Sequence, residues 1–223
     1  MRCLYHLFLS PFCRKVRVAL GEKGMDFELR VEKTWERRPE FLAMNPAAQV
    51  PVLVEDDNAV VADSGAICEY LEEAYPECGT LLGTDALARA EVRRLVTWFD
   101  IKFYLEVTAN LVGEKIQKRL LGLGQPDSNA IRAGHANIHP HLDHIAWLTE
   151  RRSWLAGETF SLADIAAAAH LSCLDYIGDV PWDDHPEARD WYARIKSRKT
   201  FRPILADHIP GVPPPRHYAD PDF

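Results

Sequence analysis

The segment from Leu162 to Ile177 limits most strongly how this 223-residue chain can fold. It is almost free of charge, and a helix that is apolar all round must be enclosed by other elements or by lipid. Asp164 and His170 interrupt it, and no stretch of the chain approaches the roughly 18 consecutive apolar residues of a membrane-spanning helix. Ser161 and Asp164 form a capping-box pattern at its start. The segment is therefore predicted to be the core helix of a helical domain, without membrane insertion.

The first 75 residues carry a different pattern from the rest of the chain. Short apolar runs alternate with amphipathic segments in the order β-α-β-α-β-β-α. Residues 76–84 contain a proline and two glycines and are predicted to be a linker. Residues 85–206 are helical in pattern, and residues 207–223 are too rich in proline for a regular helix. We therefore predict an α/β domain at 1–75, an all-helical domain at 85–206 and a separate tail.

The composition excludes several classes of function. Lys plus Arg number 26 and Asp plus Glu number 33, so the net charge is −7 and a general nucleic-acid role is not expected. The five cysteines lie far apart and include no C-x-x-C pair. That spacing argues against a disulfide framework and a zinc site, and it favours the reducing cytoplasm.

Two clusters of side chains suggest functions that the surrounding sequence does not support. Pro140 disrupts the helical spacing within a group of four histidines, so no metal site is predicted. A basic run near residue 198 fits the C-terminal end of a helix better than a nucleic-acid site. The clusters are His135, His139, His141 and His144, and Arg194, Lys196, Arg198, Lys199 and Arg202.

The segment Ser10-Pro11-Phe12-Cys13 joins the first predicted strand to the first predicted helix. A thiolate bound there would meet a hydroxyl group, free backbone N–H groups and the positive end of the helix dipole. Each unit by which such a site lowers a thiol pKa corresponds to about 1.4 kcal/mol. Ser10 is therefore either a residue that activates a thiolate or a plain N-cap. Cys13 is either a thiol that forms a mixed disulfide or a small buried hydrophobe.

Four segments, in order and at matching spacing, resemble the glutathione S-transferase (GST) superfamily. They are SPFCRKVRVALGEKG at 10–24, NPAAQVPVL at 45–53, DSGAICEYLEE at 63–73 and GETFSLADI at 157–165. The resemblance implies an N-terminal thioredoxin-like domain followed by a C-terminal all-helical GST domain, α/β plus all-α. It also implies a homodimer in which the first domain of one subunit packs against the long helices of the other.

The resemblance further implies a site for glutathione. Pro51 matches the family's cis-proline, which either exposes the Val50 backbone to an extended ligand or simply closes the turn. Asp63 and Ser64 match the pair that holds the γ-glutamyl end of glutathione, and they suit helix capping equally well. Gln49 completes the predicted set. The sequence departs from the family pattern at three positions: Ala48 for glycine, Gln49 for lysine and Asp63 for glutamate.

The chain, and above all its tail, is similar to one branch of the superfamily, the alphaproteobacterial GST-like cell-division proteins that bind the tubulin homologue FtsZ. Similar stretches include WERRPEFLAMNP at 35–46 and PPPRHYADPDF at 213–223. The tail is either a docking peptide or a segment strapped over its own domain. An exposed aromatic in the loop near residue 35 either contacts a partner or packs over the ligand groove. The predicted partner contacts are Trp35, Glu106, Glu114, Tyr218, Asp220 and Phe223.

Two hypotheses about function remain open at this point. The first is a cytoplasmic homodimeric adaptor that binds FtsZ and regulates division, which requires no cofactor. The second is a glutathione S-transferase that conjugates glutathione to small electrophiles, with Ser10 stabilising the thiolate. The tail favours the adaptor, whereas Ser10 and the Val50-Pro51 pair permit the enzyme.

Overall fold

The computed structural model describes residues 1–220, which divide into two compact units. The first unit is Met1–Leu81, and the second begins at Leu82. The division falls inside the segment 76–84 that was predicted to be a linker. Each unit is described by itself below.

The N-terminal unit contains four strands and three helices in the predicted order β-α-β-α-β-β-α, which confirms the thioredoxin-like fold. The elements are β1 (Arg2–His6), α1 (Pro11–Glu22), β2 (Phe27–Val31), α2 (Pro39–Met44), β3 (Val52–Val54), β4 (Val60–Ala62) and α3 (Ser64–Ala74). The sheet order is β2-β1-β3-β4. Strand β1 is parallel to β2 and antiparallel to β3, and β3 is antiparallel to β4.

Helices α1 and α3 of this unit pack against each other and enclose its apolar core. Leu4 of β1 and Leu53 of β3 are fully buried cross-strand partners. Val16 and Leu20 of α1 and Ile67 of α3 are also fully buried. Burying one such side chain contributes about 1.5–3 kcal/mol, so this core fixes the positions of both helices.

The second unit is helical, as predicted. Its helices are α4 (Ala86–Thr97), α5 (Lys118–Leu120), α6 (Ser128–Thr149), α7 (Leu162–Tyr176), α8 (Pro186–Lys196) and α9 (Arg202–Leu205). A more widely wound π-helical segment, Trp98–Gln117, joins α4 to α5, so the chain is helical from Ala86 to Leu120. Helices α6 and α7 both pack against this π-helical segment.

Helix α7 is the enclosed core helix that its sequence predicted. All 15 of its residues are buried, and the capping box of Ser161 and Asp164 is formed at its start. It packs against α4 as well as the π-helical segment. Among the described residues, no helix combines the length and the apolar character needed to cross a membrane.

The described part of the tail packs on the second unit. Ile209 and Val212 form an isolated antiparallel bridge, and Arg216–Ala219 form a short 3-10 turn. The Tyr176 hydroxyl of α7 donates to the Val212 carbonyl at 2.8 Å and accepts from the Ile209 amide at 2.8 Å. Of the two alternatives for the tail, residues 209–219 therefore show the segment strapped over its own domain.

Candidate functional site

Three loops of the N-terminal unit lie at one edge of its sheet. Tyr5 near the end of β1 pairs with Val52 at the start of β3, and Val52 pairs with Ala62 at the end of β4. Neighbouring strands lie about 4.8 Å apart, so these three residues span about 10 Å. The loops that follow β1 and β4 and precede β3 therefore share this edge. They carry Ser10, Gln49, Val50, Pro51, Asp63 and Ser64, which we call the sheet-edge site.

Ser10 is the N-cap of α1. Its hydroxyl oxygen accepts a hydrogen bond from the Cys13 amide at 3.3 Å, and Pro11 occupies the first helical turn. The side chain lies at the positive end of the helix, where an anion is favoured. Cys13 itself is fully buried. Its thiol therefore fits the packing role better than the mixed-disulfide role.

The Val50-Pro51 peptide bond is cis, as the resemblance implied. Among residues 1–220, no hydrogen bond joins the backbone N–H or C=O of Val50 to another protein group. The Gln49 carbonyl is occupied, because it accepts from the Asn45 side chain at 2.8 Å. The backbone of Val50 thus retains one donor and one acceptor for an extended ligand, the pattern of strand addition.

Asp63 is the N-cap of α3. One carboxylate oxygen, Oδ1, accepts from the Gly65 amide at 2.7 Å and from the Ala66 amide at 3.1 Å. The side chain is exposed and Ser64 is buried. Asp63 therefore caps its helix, and its Oδ2 atom stays available for a donor such as an ammonium group.

Ala48 adopts the left-handed conformation, with φ of +55°. This is the position where the family pattern has glycine, which adopts that conformation without a Cβ clash. Ala48 donates its amide to the Asn45 carbonyl at 3.0 Å, so it completes the turn that leads into Val50. The departure from the family pattern therefore places an L-residue in a conformation that glycine adopts at lower cost.

Replacing Ala48 by glycine is expected to raise the free energy of unfolding by about 0.5–1 kcal/mol. The left-handed conformation costs an L-residue about 1–2 kcal/mol, and part of that gain is offset by the greater entropy of glycine in the unfolded chain. Urea unfolding at unchanged m-value measures the difference. The neighbouring Ala47→Gly variant lacks the positive φ and should be neutral or destabilising. A destabilised Ala48→Gly variant would contradict the argument.

Three basic side chains beside the sheet-edge site were missed by the sequence analysis. Arg14, Lys15 and Arg17 of α1 are buried, whereas charged residues of an amphipathic helix are expected to be exposed. The Arg14 Nε atom donates to the Phe8 carbonyl, in the loop before Ser10, at 2.7 Å. The signal in the sequence was their position directly after the strand–helix junction. They place positive charge within the helix that Ser10 begins.

Trp35 lies beyond the end of β2, in the 3-10 turn Thr34–Glu36. The parallel register pairs His6 with Val31, so β1 and β2 end at the same edge of the sheet. The Trp35 side chain is 45% exposed, an unusual state for so large an apolar ring. Its exposure suits a partner contact, the first of the two alternatives.

Glu106 and Glu114, on the π-helical segment, are engaged within their own unit. Glu114 Oε2 accepts from Lys118 Nζ at 2.8 Å and from the Asp127 amide at 2.7 Å. Glu106 pairs with Lys102, and its Oε2 atom lies 3.0 Å from His141 Nε2. Hydrogen bonds from Lys118 and Lys102, respectively, lower the pKa values of these two carboxyl groups. Both stay ionised, but neither presents a free carboxylate to a partner.

Tyr218 does not occupy the exposed position that a partner contact requires. Its ring is fully buried, packs edge-on against Tyr176 with centroids 5.1 Å apart, and donates its hydroxyl to the Ile204 carbonyl at 3.3 Å. The prediction is corrected to that extent: Tyr218 anchors the tail. Asp220 is exposed. Phe223 lies outside the described residues.

The histidines of α6 contact side chains of other elements, and His141 and His144 share one of these neighbours, Trp98. Among the described residues no group of three or more ligating side chains is arranged to hold a metal ion. His141 Nδ1 accepts from Trp98 Nε1 at 2.9 Å, and His139 Nδ1 lies 2.8 Å from His185 Nε2. Burial lowers the pKa of His141, which keeps its ring neutral at physiological pH. These contacts tie α6 to its neighbours.

Comparison with known proteins bears on both units. Residues 4–79 match the family model "Glutathione S-transferase, N-terminal domain", and residues 141–199 match "Glutathione S-transferase, C-terminal domain". FtsZ-localized protein A of Caulobacter vibrioides is 50% identical over 225 residues, which cover 100% of this chain and 98% of that protein. Glutathione S-transferase 3 of Zea mays is 32% identical over 220 residues, which cover 95% of this chain and 96% of that protein.

A solved structure also matches the whole chain. The crystal structure of a glutathione S-transferase from Rhodospirillum rubrum F11 superimposes with a TM-score of 0.98 at 60% sequence identity, covering 100% of both chains. The two domain matches, the full-length relatives and the fold agree with one another. This chain belongs to the glutathione S-transferase superfamily.

Proposed function

We propose that this chain is a GST-fold homodimeric adaptor that binds FtsZ in the cytoplasm and regulates cell division without glutathione chemistry. The observation that carries the proposal is the 50% identity to FtsZ-localized protein A, which extends over the whole chain, tail included. Fold alone would not separate an adaptor from an enzyme.

Two exposed residues supply contacts for the partner. Trp35 offers a large ring at the surface, and aromatic rings of this kind dominate the energy of many protein interfaces. Asp220 stands where the described tail ends and carries an exposed carboxylate. Glu114 and Tyr218 support the surface indirectly, since one is paired with Lys118 and the other is buried. Phe223 completes the proposed contacts.

The homodimer of the proposal finds support on the long helix of the second unit. Leu87, Ile101 and Leu105 are 83%, 57% and 61% exposed, respectively. Covering such side chains from water is worth about 25 cal/mol per Å² of apolar area. A second subunit seated on this helix would bury them.

Truncation after Asp220 is expected to lower co-sedimentation with FtsZ filaments at least fivefold while leaving the fold intact. The cut removes Phe223 and spares the buried Tyr218 ring. A longer deletion, from Arg216, would also remove the Tyr218 ring that anchors the tail. A loss of FtsZ binding would then not distinguish a lost contact from a lost structure. A Trp35→Ala variant tests the second contact. Unchanged co-sedimentation by both variants, with intact protein bound, would refute these contacts.

A second candidate function is glutathione transfer, which the sheet-edge site favours. Ser10 at one helix N-terminus and Asp63 and Ser64 at another would hold the thiolate and the γ-glutamyl end. The unpaired backbone of Val50, beside Gln49 and Pro51, would pair with the peptide portion. The chemistry of these donors and acceptors fits glutathione, and the second unit would supply the electrophile pocket.

If the chain is a transferase, Ser10→Ala is expected to lower turnover of glutathione with a small aryl halide at least tenfold. The hydroxyl would stabilise the thiolate, and a tenfold loss corresponds to about 1.4 kcal/mol. Ser197→Ala, at the end of α8, is the matched control. Absence of turnover by the intact protein, measured on the samples that co-sediment with FtsZ, supports the adaptor. Turnover by the intact protein without FtsZ binding would support the transferase and contradict the adaptor.

A further inference from the structure

His217, in the last turn of the described tail, is held at two points by the helical unit. Its ring Nε2 atom lies 3.1 Å from Oδ1 of Asp175 on α7. Its backbone carbonyl accepts from Nζ of Lys196, on α8, at 3.0 Å. The same carbonyl accepts from the Asp220 amide at 3.1 Å. One carbonyl oxygen with two lone pairs therefore links Lys196 directly to the position of Asp220.

The two residues that grip His217 are a buried ion pair. Asp175 and Lys196 are both fully buried, and Lys196 Nζ lies 3.8 Å from Asp175 Oδ2. Trp182 Nε1 also donates to Asp175 Oδ1 at 2.9 Å. Burial raises the pKa of Asp175 and lowers that of Lys196, and in Lys196 the charges of Asp175 and Asp220 oppose the shift. Such a pair adds little net stability, and here both of its members also bind His217 of the tail.

Other anchors hold the tail before its last turn and at Tyr218 within that turn. The Tyr176 hydroxyl holds the tail at Ile209 and Val212, and the Tyr218 ring packs on Tyr176. These contacts fix the path of the tail across α7. The bonds to His217 add a further hold on the turn that ends at Asp220, because they act on the carbonyl that the Asp220 amide uses.

We propose that Asp175, Lys196 and His217 form a clamp that positions Asp220, the last described residue, for its partner. The three are positioning residues, and Asp220 is the partner contact that they position. This inference rests on the proposed adaptor function and deepens it. The clamp holds the Asp220 backbone in place, so binding of the partner loses less conformational entropy at this residue.

The test uses the full chain with four variants. His217→Ala removes the ring contact, and His217→Gln restores an N–H donor that reaches Asp175. The double variant Lys196→Met with Asp175→Asn removes both buried charges together, so neither is left unpaired. Lys199→Met, an exposed lysine in the turn after α8, is the matched control. Amide hydrogen exchange at Asp220 and in α7 is measured with FtsZ co-sedimentation on the same samples.

Exchange at Asp220 is expected to accelerate at least tenfold in His217→Ala and in the double variant, with α7 unchanged. His217→Gln and Lys199→Met should stay within threefold of the parent, and FtsZ binding should fall at least fivefold only where exchange accelerates. Unchanged exchange would overturn the clamp. Accelerated exchange with full FtsZ binding would overturn its positioning role. If the parent does not bind FtsZ, the adaptor proposal fails and the positioning role with it, while exchange still decides whether the clamp exists.

Discussion

Replacement of Asp164 by alanine is expected to lower the free energy of unfolding by about 4 kcal/mol. Each buried hydrogen-bond donor that loses its acceptor costs about 1–3 kcal/mol, and partial relaxation of the structure recovers part of the total cost. The fully buried carboxylate accepts four hydrogen bonds. They come from the Leu155 amide at 2.9 Å, the Ser161 amide and hydroxyl at 3.1 Å each, and Trp191 Nε1 at 3.0 Å. Alanine would strand all four donors inside the second unit.

A matched variant separates this effect from ordinary capping. Asp85 is the N-cap of α4 and accepts from the Leu87 and Ala88 amides at 2.9 Å, but its donors are exposed to water. Asp85→Ala should therefore cost only about 1 kcal/mol, the usual value for a lost cap. Urea unfolding followed by far-ultraviolet circular dichroism measures both variants. Equal losses for the two positions would show that burial of Asp164 adds nothing.

The helical unit was predictable because its signals are local. The enclosed helix Leu162–Tyr176 followed from a run of residues without periodic charge, and its start followed from the spacing of Ser161 and Asp164. The order of elements in the N-terminal unit followed in the same way from alternating apolar periods. The grouping of the sheet-edge residues cannot be seen in any one local segment. Only the strand register brings the loops at 10, 50 and 63 to one edge.

Other features depend on tertiary contacts that no local pattern reveals. Arg14 and Lys15 belong to a residue type that usually lies at the surface, yet both are buried. Tyr218 read as a free aromatic in a proline-rich tail, which composition alone makes extended. The Tyr218 ring packs on Tyr176, 42 positions earlier in the chain. Neither local sequence indicates that the two rings are in contact. Residues that join distant segments are the ones that sequence analysis misses.

The last prediction concerns the N-terminal unit, where Glu72→Ala is expected to cost about 3 kcal/mol. Glu72 Oε1 lies 2.9 Å from Nζ of Lys23, whose side chain is only 1% exposed. The same carboxylate accepts from the Thr80 hydroxyl at 2.6 Å and from the Leu81 amide at 2.9 Å. Removal of one partner from such a pair leaves a buried charge, and losses of about 3–5 kcal/mol are typical.

The same variant should remove a dependence of stability on pH. Burial alone would raise the pKa of Glu72, but hydrogen bonds from Thr80, Leu81 and Lys23 outweigh it and lower the pKa below its ordinary value. The carboxylate therefore stabilises the folded state fully above the unfolded-state pKa, near 4.5. This contribution disappears as the pH falls through the folded-state pKa. The difference between parent and variant should thus be largest near pH 7 and shrink below about pH 4.5.

Glu73→Ala is the matched control, because Glu73 is the next residue of α3 and is exposed. It should change stability by less than about 0.5 kcal/mol at any pH. Lys23→Met combined with Glu72→Leu should recover most of the loss, since an apolar pair leaves no buried charge. A loss below about 1 kcal/mol for Glu72→Ala would mean that Lys23 reaches water by itself.

Because Lys23 caps the C-terminal end of α1 and Glu72 lies near the end of α3, this pair joins the two helices whose N-termini carry Ser10 and Asp63. Its loss should therefore also loosen the sheet-edge site.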